Sequence, residues 1–274
     1  MDCAISKKRA GDSIELPENE GKEAPCLCFG LALPLVTAPV KGRVFARRVL
    51  LVFDQIAGVL FDWDGVLLDS LGAACNVYNK IFSKIGAERL TRDEYLRFQS
   101  PNWYDFYESI GLPKTLWKEV DREWLRLYQE ERPNLHPDAL DCLGSLRRAN
   151  LKLALVSNGS KSRIEGELVR FGLDQYFEAA VFGERKEELK PSPVMLERAL
   201  GVLGVDARKA AYLGDSPADV QAAKSAGVPS IAIARGPIQK ERLGVESPDQ
   251  IFGGLEEATE FLVGLVPRSD KKPV

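Results

Sequence analysis

The chain holds a single histidine, His136, among its 274 residues. One imidazole cannot build a multi-histidine zinc centre, and it leaves a Ser-His-Asp hydrolase with a single candidate base. Followed by Pro137 and Asp138, His136 reads as a loop residue at the start of a helix. Cysteine is scarce too. The five (Cys3, Cys26, Cys28, Cys75, Cys142) are scattered and odd in number, which suits reduced thiols in a cytoplasmic protein and not a disulfide framework. Cys26 and Cys28 have one residue between them, which is not a usual zinc spacing. No apolar run approaches the roughly 18 residues that span a bilayer. A net charge of −3 gives no reason to expect nucleic acid or an anionic membrane as partner. With 45% hydrophobic and 28% charged residues, the chain can bury a large core in one or two domains. Catalysis must then run mostly on carboxylates, lysine, serine and a hard metal.

Residues 1–53 differ in character from the rest of the chain and are expected to form a poorly ordered N-terminal extension. Lys7 to Lys22 is polar and mixed in charge. The apolar stretch Pro25 to Val40 is broken by Pro34 and Pro39, and acidic residues precede it, so it is a poor secretory signal. A basic cluster, Lys41, Arg43, Arg47 and Arg48, comes next. The apolar run ending at Phe61 predicts a buried strand. Ser70 to Gly86 then has helical spacing, with Ser70 as N-cap and Gly86 as stop. Thr91 with Glu94 makes a capping box, and Pro101 and Pro113 open two further helical stretches. No strand is predicted between Leu71 and Pro133.

From Asp138 onward, helices and strands alternate. The strands are Leu151–Val156, Ala179–Phe182, Ala210–Leu213, Ser230–Ala234 and one near Ile251. The helices are Asp138–Ala149, Lys161–Gly172, Pro193–Gly204, Pro217–Ala226 and Leu255–Val263. Such alternation predicts an α/β fold, a parallel sheet with helices on both faces. The expected core is 54–70 with 137–265, the helical insertion is 71–136, and 266–274 is a tail.

Each core strand ends in a compact polar group: Asp62 and Asp64, then Ser157-Asn158-Gly159, then Gly214-Asp215-Ser216 with Asp219 four residues on. In a parallel sheet these ends share one edge. Lys190 precedes a helix on the same edge. Two carboxylates that close repel unless a proton or a cation lies between them. By its residue type Asp62 is expected to be ionised at neutral pH and able to attack an electrophile, for which phosphorus made electrophilic by a metal is suited. Magnesium prefers oxygen ligands and binds through one or two carboxylates plus phosphate. Asp62 and Asp215 can supply them, with the Asp64 backbone carbonyl nearby. Lys190, the Ser157 hydroxyl and the Asn158 amide can meet the transferring oxygens. Asp64 can protonate the leaving oxygen and later deprotonate water, and Gly65 permits the tight turn.

The motifs FDWDGVLLDS, VSNGS, LKPSP and YLGDSPADVQAAKSAGV resemble, in order and spacing, those of the haloacid dehalogenase-like hydrolase superfamily, over about residues 56–265. The likeness is to its phosphoglycolate phosphatase and β-phosphoglucomutase-like branch. It implies a Rossmann-like core with a small helical cap that excludes water and selects substrates. By the same likeness Asp62 is the nucleophile, Asp64 the acid/base and Lys190 the charge stabiliser. Ser157 and Asn158 bind phosphate, Asp62, Asp64 and Asp215 hold magnesium, and Asp219 lies in the outer shell. The implied activity is magnesium-dependent hydrolysis of a small phosphate monoester, phosphoglycolate- or sugar-phosphate-like, through an aspartyl-phosphate. The protein is expected to be a cytoplasmic monomer or homodimer acting on a small phosphorylated metabolite. Relatives that dehalogenate lack the second aspartate and the metal acids, both present here. Many members have a glycine in the substrate loop where this chain reads Phe98-Gln99-Ser100-Pro101-Asn102-Trp103. Arg97, Asn102 and Trp103 are the candidates for specificity.

A sugar phosphomutase shares the intermediate and is the nearest alternative. A receiver-type phosphoacceptor domain has its acidic pair and acceptor on different strands and no helical insertion, which argues against it. A non-catalytic binding module is disfavoured because each catalytic position is filled. Asn158-Gly159-Ser160 formally matches a glycosylation sequon but carries no meaning in a reduced chain, and the run around Gly159 lacks the upstream glycine of a nucleotide-binding loop. The charge-rich stretch Gly183 to Lys190 reads as a solvated loop apart from Lys190.

Overall fold

The computed structural model describes residues 52, 53, 55–100 and 103–266. The expectations for residues 1–51, for Asn102 and for residues 267–274 lie outside them. A six-stranded sheet forms the centre: β1 (Gly58–Phe61), β2 (Lys152–Ser157), β3 (Ala179–Phe182), β4 (Ala210–Gly214), β5 (Ser230–Ile233) and β6 (Gln250–Phe252). Their order is β3-β2-β1-β4-β5-β6, with each adjacent pair parallel. The order reverses beside β1, whose Phe61 pairs with Leu155 on one side and Leu213 on the other. A crevice opens at such a switch point, and Asp62 is the next residue.

Alternation along each strand divides the apolar side chains between two faces. Val59, Phe61, Leu153, Leu155 and Leu213 pack on one face. Against them lie α5 (Ala139–Arg148), α6 (Lys161–Phe171) and α10 (Leu255–Leu265). Leu60, Ala154, Val156 and Tyr212 point the other way, onto α7 (Val194–Leu203) and α8 (Pro217–Ala226). Full burial of each large apolar side chain contributes about 1.5–3 kcal/mol. Phe53, assigned to the extension on sequence, is buried in this core, its ring edge-on to Phe261 with centroids 5.1 Å apart.

Between β1 and β2 the chain forms α1 (Ser70–Ile85), α2 (Arg92–Phe98), α3 (Trp103–Ser109) and α4 (Trp117–Glu131). They pack around their own aromatic core, including Tyr78, Phe82, Tyr95, Phe106, Tyr107 and Tyr128. Gly86 ends α1 in the left-handed region (φ 70°), its N–H donating to Phe82 O. The Thr91–Glu94 capping box forms in full at the start of α2. The two connections to the sheet pair with each other: Asp69 N donates to Asn134 O (2.9 Å) and His136 N to Leu67 O (2.9 Å). One helix has no counterpart in the sequence pattern: α9 (Pro237–Val245) follows Gly236 and has proline at its first turn, where its missing N–H costs nothing.

Candidate active site

Asp62 leaves the sheet with its N–H bonded to Leu213 O (2.9 Å), so the strand end itself aims this carboxylate into the crevice. The intervening Trp63 is fully buried on the far side, where its Nε1 donates to Glu167 Oε2 at 2.6 Å. The chain then doubles back. Leu67 N and Leu68 N both donate to Trp63 O, and Gly65 takes φ 79°. Gly65 is required twice over: a side chain resists that φ, and a Cβ there would lie 2.0 Å from Asp215 Oδ2. The sole histidine sits buried behind this loop, where burial and Arg235 hold its pKa below the ordinary imidazole value.

Four buried ionisable groups converge at the edge. Lys190 Nζ lies 2.6 Å from Asp219 Oδ1 and 2.8 Å from Asp62 Oδ1. It also donates to the Tyr212 hydroxyl at 2.9 Å. Asp219 is fully engaged. Its Oδ1 accepts from Lys190 and Tyr212, and its Oδ2 from Asp215 N, Ser216 N and Ser216 Oγ. These contacts include a second capping box, at the start of α8. Asp62 Oδ1 is different. Its close neighbour is the Lys190 ammonium, in an ion pair at 2.8 Å, and no other donor among the described residues reaches this buried oxygen.

The carboxylates of Asp62, Asp215 and Asp219 each have an oxygen within 4.8 Å of the others. Three buried acids against one ammonium leave about two negative charges uncompensated, and buried charge must be paired or bound to metal. Burial pushes Asp62 up to about 7 even against the opposing pull of Lys190. Burial, then Asp219 and Asp62, drive Asp215 well above the usual carboxylate range. The Lys190 ammonium is held charged by Asp219 and Asp62, although burial opposes this. All-oxygen donors, an Asp62 oxygen that only Lys190 reaches and an excess charge of two fit a hard divalent cation. Because Asp219 is saturated by donors, Asp62 and Asp215 are the carboxylates left to hold it.

Asp64 does not join this cluster. Its carboxylate is forked by Arg163 on α6, at 2.5 Å and 3.2 Å. Arg163 also pairs with Glu167 (3.0 Å) and lies over the Tyr128 ring of α4, 5.2 Å from its centroid. Ser157 is buried at the end of β2, and its Oγ accepts from Gly159 N (3.2 Å). The Asn158 side chain clamps the Lys190 backbone from both ends: Oδ1 accepts from Lys190 N (2.8 Å) and Nδ2 donates to Lys190 O (3.2 Å). Its backbone amide is what remains for a ligand.

Other placements depart from expectation. Arg97 is exposed and does not line the cavity over the site, whereas Tyr95 and Gln99 do. Residues 95 and 99 share a helix face, and position 97 lies about 200° around from 95. Trp103 lines the cavity. In the stretch Gly183 to Lys190, Glu188 is buried and not solvated. It binds Arg185 and Arg198 and accepts from Glu184 N, which staples the loop that carries Lys190. Arg163, Tyr212 and Gln239, whose Nε2 is 3.4 Å from Asp215 Oδ2, do not stand out in the sequence. For Gln239, the Gly236-Pro237 start of α9 is an available signal.

The family model for haloacid dehalogenase-like hydrolases matches residues 59–233. The chain belongs to this family. It is 30% identical over 247 residues to a phosphoglycolate phosphatase of Salmonella paratyphi A, covering 80% of this chain and 97% of the relative. A protein of Caldanaerobacter subterraneus subsp. tengcongensis, named as a candidate pyrophosphatase, is 28% identical over 225 residues, covering 77% and 96%. Among solved structures, a haloacid dehalogenase-like family hydrolase from Streptococcus pneumoniae superposes with a TM-score of 0.67 at 21% identity, covering 76% of this chain and 98% of that one.

Proposed function

We propose that this member of the family is a phosphatase that cleaves a small phosphate monoester through an aspartyl-phosphate formed on Asp62. The observation that carries the reading is the Asp62 carboxylate itself. It is buried, beside a lysine and a second acid, with one oxygen that no donor but that lysine reaches among the described residues. Asp62 and Asp215 would hold magnesium, with the Asp64 backbone carbonyl on the same loop. Bound there, the cation would keep both carboxylates ionised and draw charge from the phosphoryl oxygens.

The chain's own groups account for the rest. An Asp62 oxygen attacks phosphorus while the ester P–O bond breaks, and the departing oxygen takes the proton from Asp64. Asp64, now a carboxylate, takes a proton from the water that attacks phosphorus and frees Asp62. Lys190, the Ser157 hydroxyl and the Asn158 amide oppose the charge that builds on the phosphoryl oxygens. The helices of residues 71–136 act as a cap that excludes competing water.

Relatives named phosphoglycolate phosphatase support the choice of hydrolysis over phosphoryl return to a sugar. The deciding experiment measures phosphate release from a panel of esters, with magnesium or with chelator, for wild type and Asp62→Asn. Hydrolysis should need magnesium and fall at least about 10³-fold in the variant. Sugar phosphate interconversion without net release would refute hydrolysis. Unchanged turnover by Asp62→Asn would refute the covalent route.

A further inference from the structure

The cavity above the carboxylates has a volume of about 810 Å3, within the roughly 300–1,000 Å3 of pockets for drug-sized ligands. Its floor is the charged edge. Its roof comes from the helices of residues 71–136, and the chemistry there is different. No lysine, arginine or histidine from those helices lines it among the described residues, and positions 101 and 102 are proline and asparagine. Two acids do line it, Asp105 and Asp121, and Asp121 accepts from the Tyr107 hydroxyl at 2.8 Å. A substrate whose alcohol carries a carboxylate would find no counter-ion on this wall.

The cations on the opposite wall are largely committed. Lys190 is held by Asp62 and Asp219, Arg163 by Asp64 and Glu167, and Arg185 by Glu188. Among the described lining residues, Lys186 is the cation without an ion pair, and it is exposed to solvent.

What the roof offers is rings. Trp103 (40% exposed) and Leu125 (52%) line the cavity, large apolar side chains left uncovered. Deeper in, Trp124 and Tyr128 stack with centroids 4.5 Å apart, one helical turn from each other on α4. Trp124 Nε1 and the Tyr128 hydroxyl are both buried and have no hydrogen-bond partner. Buried donors without acceptors are uncommon and call for an explanation. Tyr128 is covered by Trp124 and Arg163, so a planar group would stack on the exposed Trp103, and acceptors on it would answer the two donors.

We infer that the substrate is a phosphate monoester of an uncharged, ring-bearing alcohol with hydrogen-bond acceptors, of nucleoside or aryl type, and not a phosphorylated small carboxylic acid. This rests on the phosphatase reading. With the roof supplying ring contacts and the floor supplying phosphate contacts, the two ends of such a molecule are recognised by separate walls.

The full-length protein with magnesium would be given uridine 5′-monophosphate, phenyl phosphate and 2-phosphoglycolate. The kcat/KM of at least one ring ester should exceed that of phosphoglycolate by about tenfold or more. The nucleotide leading points to acceptors as the determinant, and phenyl phosphate leading points to the rings. A preference for phosphoglycolate overturns the inference and leaves the phosphatase reading standing. No release from any ester overturns the reading beneath it. Binding supplies a readout independent of turnover. By calorimetry on Asp62→Asn, adding Trp103→Ala should raise the Kd of the better ring ester roughly tenfold and that of phosphoglycolate less than about twofold. Equal changes for both ligands overturn the inference.

Discussion

The floor and the roof of the cavity differ in how their buried polar atoms are answered. On the floor, Asp219 alone receives five donors, Asn158 clamps the Lys190 backbone, and Glu188 pins the approach to Lys190. Among the described residues of the floor, Asp62 Oδ1 is the carboxylate oxygen reached only by Lys190, where the proposed chemistry needs an open position. In the roof, two donors on adjacent turns of α4 are left without acceptors, and apolar side chains stand uncovered. The floor is organised in advance for one reaction, as electrostatic stabilisation requires. The roof is left incomplete so that a substrate can complete it.

Asp219→Ala should break the floor most. Lys190 keeps Asp62 as its partner, but five donors lose their acceptor, and each buried polar group left unsatisfied costs about 1–3 kcal/mol, readable by chemical denaturation. Burial opposes ionisation of Asp219, but Lys190 and the hydrogen bonds from Ser216 and Tyr212 hold its pKa below the ordinary value. A depressed native pKa stabilises above the unfolded value of about 3.9. That contribution disappears as pH falls through the lower native pKa, so wild type and variant should converge in stability in acid. A gap that stays constant down to about pH 2 would show that the ion pair is not its source.

Which of these contacts sequence could reveal depends on their physical range. The strands are readable because each is a short apolar run that ends in polar residues, and the capping boxes because their partners are three residues apart. Asp62, Ser157 and Asp215 are readable because parallel strands bring their ends to one edge, and Lys190 because the loop before α7 returns to it. Arg163 is not, since its meeting with Asp64 spans 99 residues. Nor is Arg242, which reaches from α9 to the carbonyls of Leu96 and Gln99 at the end of α2. Arg97 misleads because nearness in sequence to a substrate loop says nothing about helix phase.

Two glycines sharpen the contrast. Gly65→Ala places a methyl group 2.0 Å from Asp215 Oδ2 at φ 79°, so the carboxylate must shift. Misplacement on this scale costs about 10²-fold in rate, and the magnesium concentration for half-maximal activity should rise. Gly86→Ala has a similar φ of 70° but open space around the new Cβ. It should lose about 1–2 kcal/mol of stability from backbone strain and leave the rate unchanged. Equal rate losses would mean that strain, and not the displaced carboxylate, dominates at Gly65.

Arg163 stands between floor and roof, touching Asp64 on one side and the Tyr128 ring on the other. Arg163→Ala frees the Asp64 carboxylate, the proposed acid/base, to wander, and kcat should fall roughly tenfold under steady-state conditions with saturating ester. An unchanged kcat would show that the pair does not orient Asp64.

The smallest expected effect compares one motif in two settings. Both Thr91–Glu94 and Ser216–Asp219 are capping boxes with reciprocal hydrogen bonds. Loss of an N-cap hydroxyl costs about 1 kcal/mol, and Thr91→Ala should show that loss in denaturation with no change in kcat. Ser216→Ala removes the same kind of hydroxyl, but its Oγ lies 2.6 Å from the Asp219 oxygen opposite the one that Lys190 grips. Freed on that side, the carboxylate can rotate and carry the Lys190 ammonium with it. Ser216→Ala should therefore lose stability like Thr91→Ala and lose kcat as well, by about threefold to tenfold. If both variants kept full kcat, the α8 capping box would be a helix start and no part of the floor.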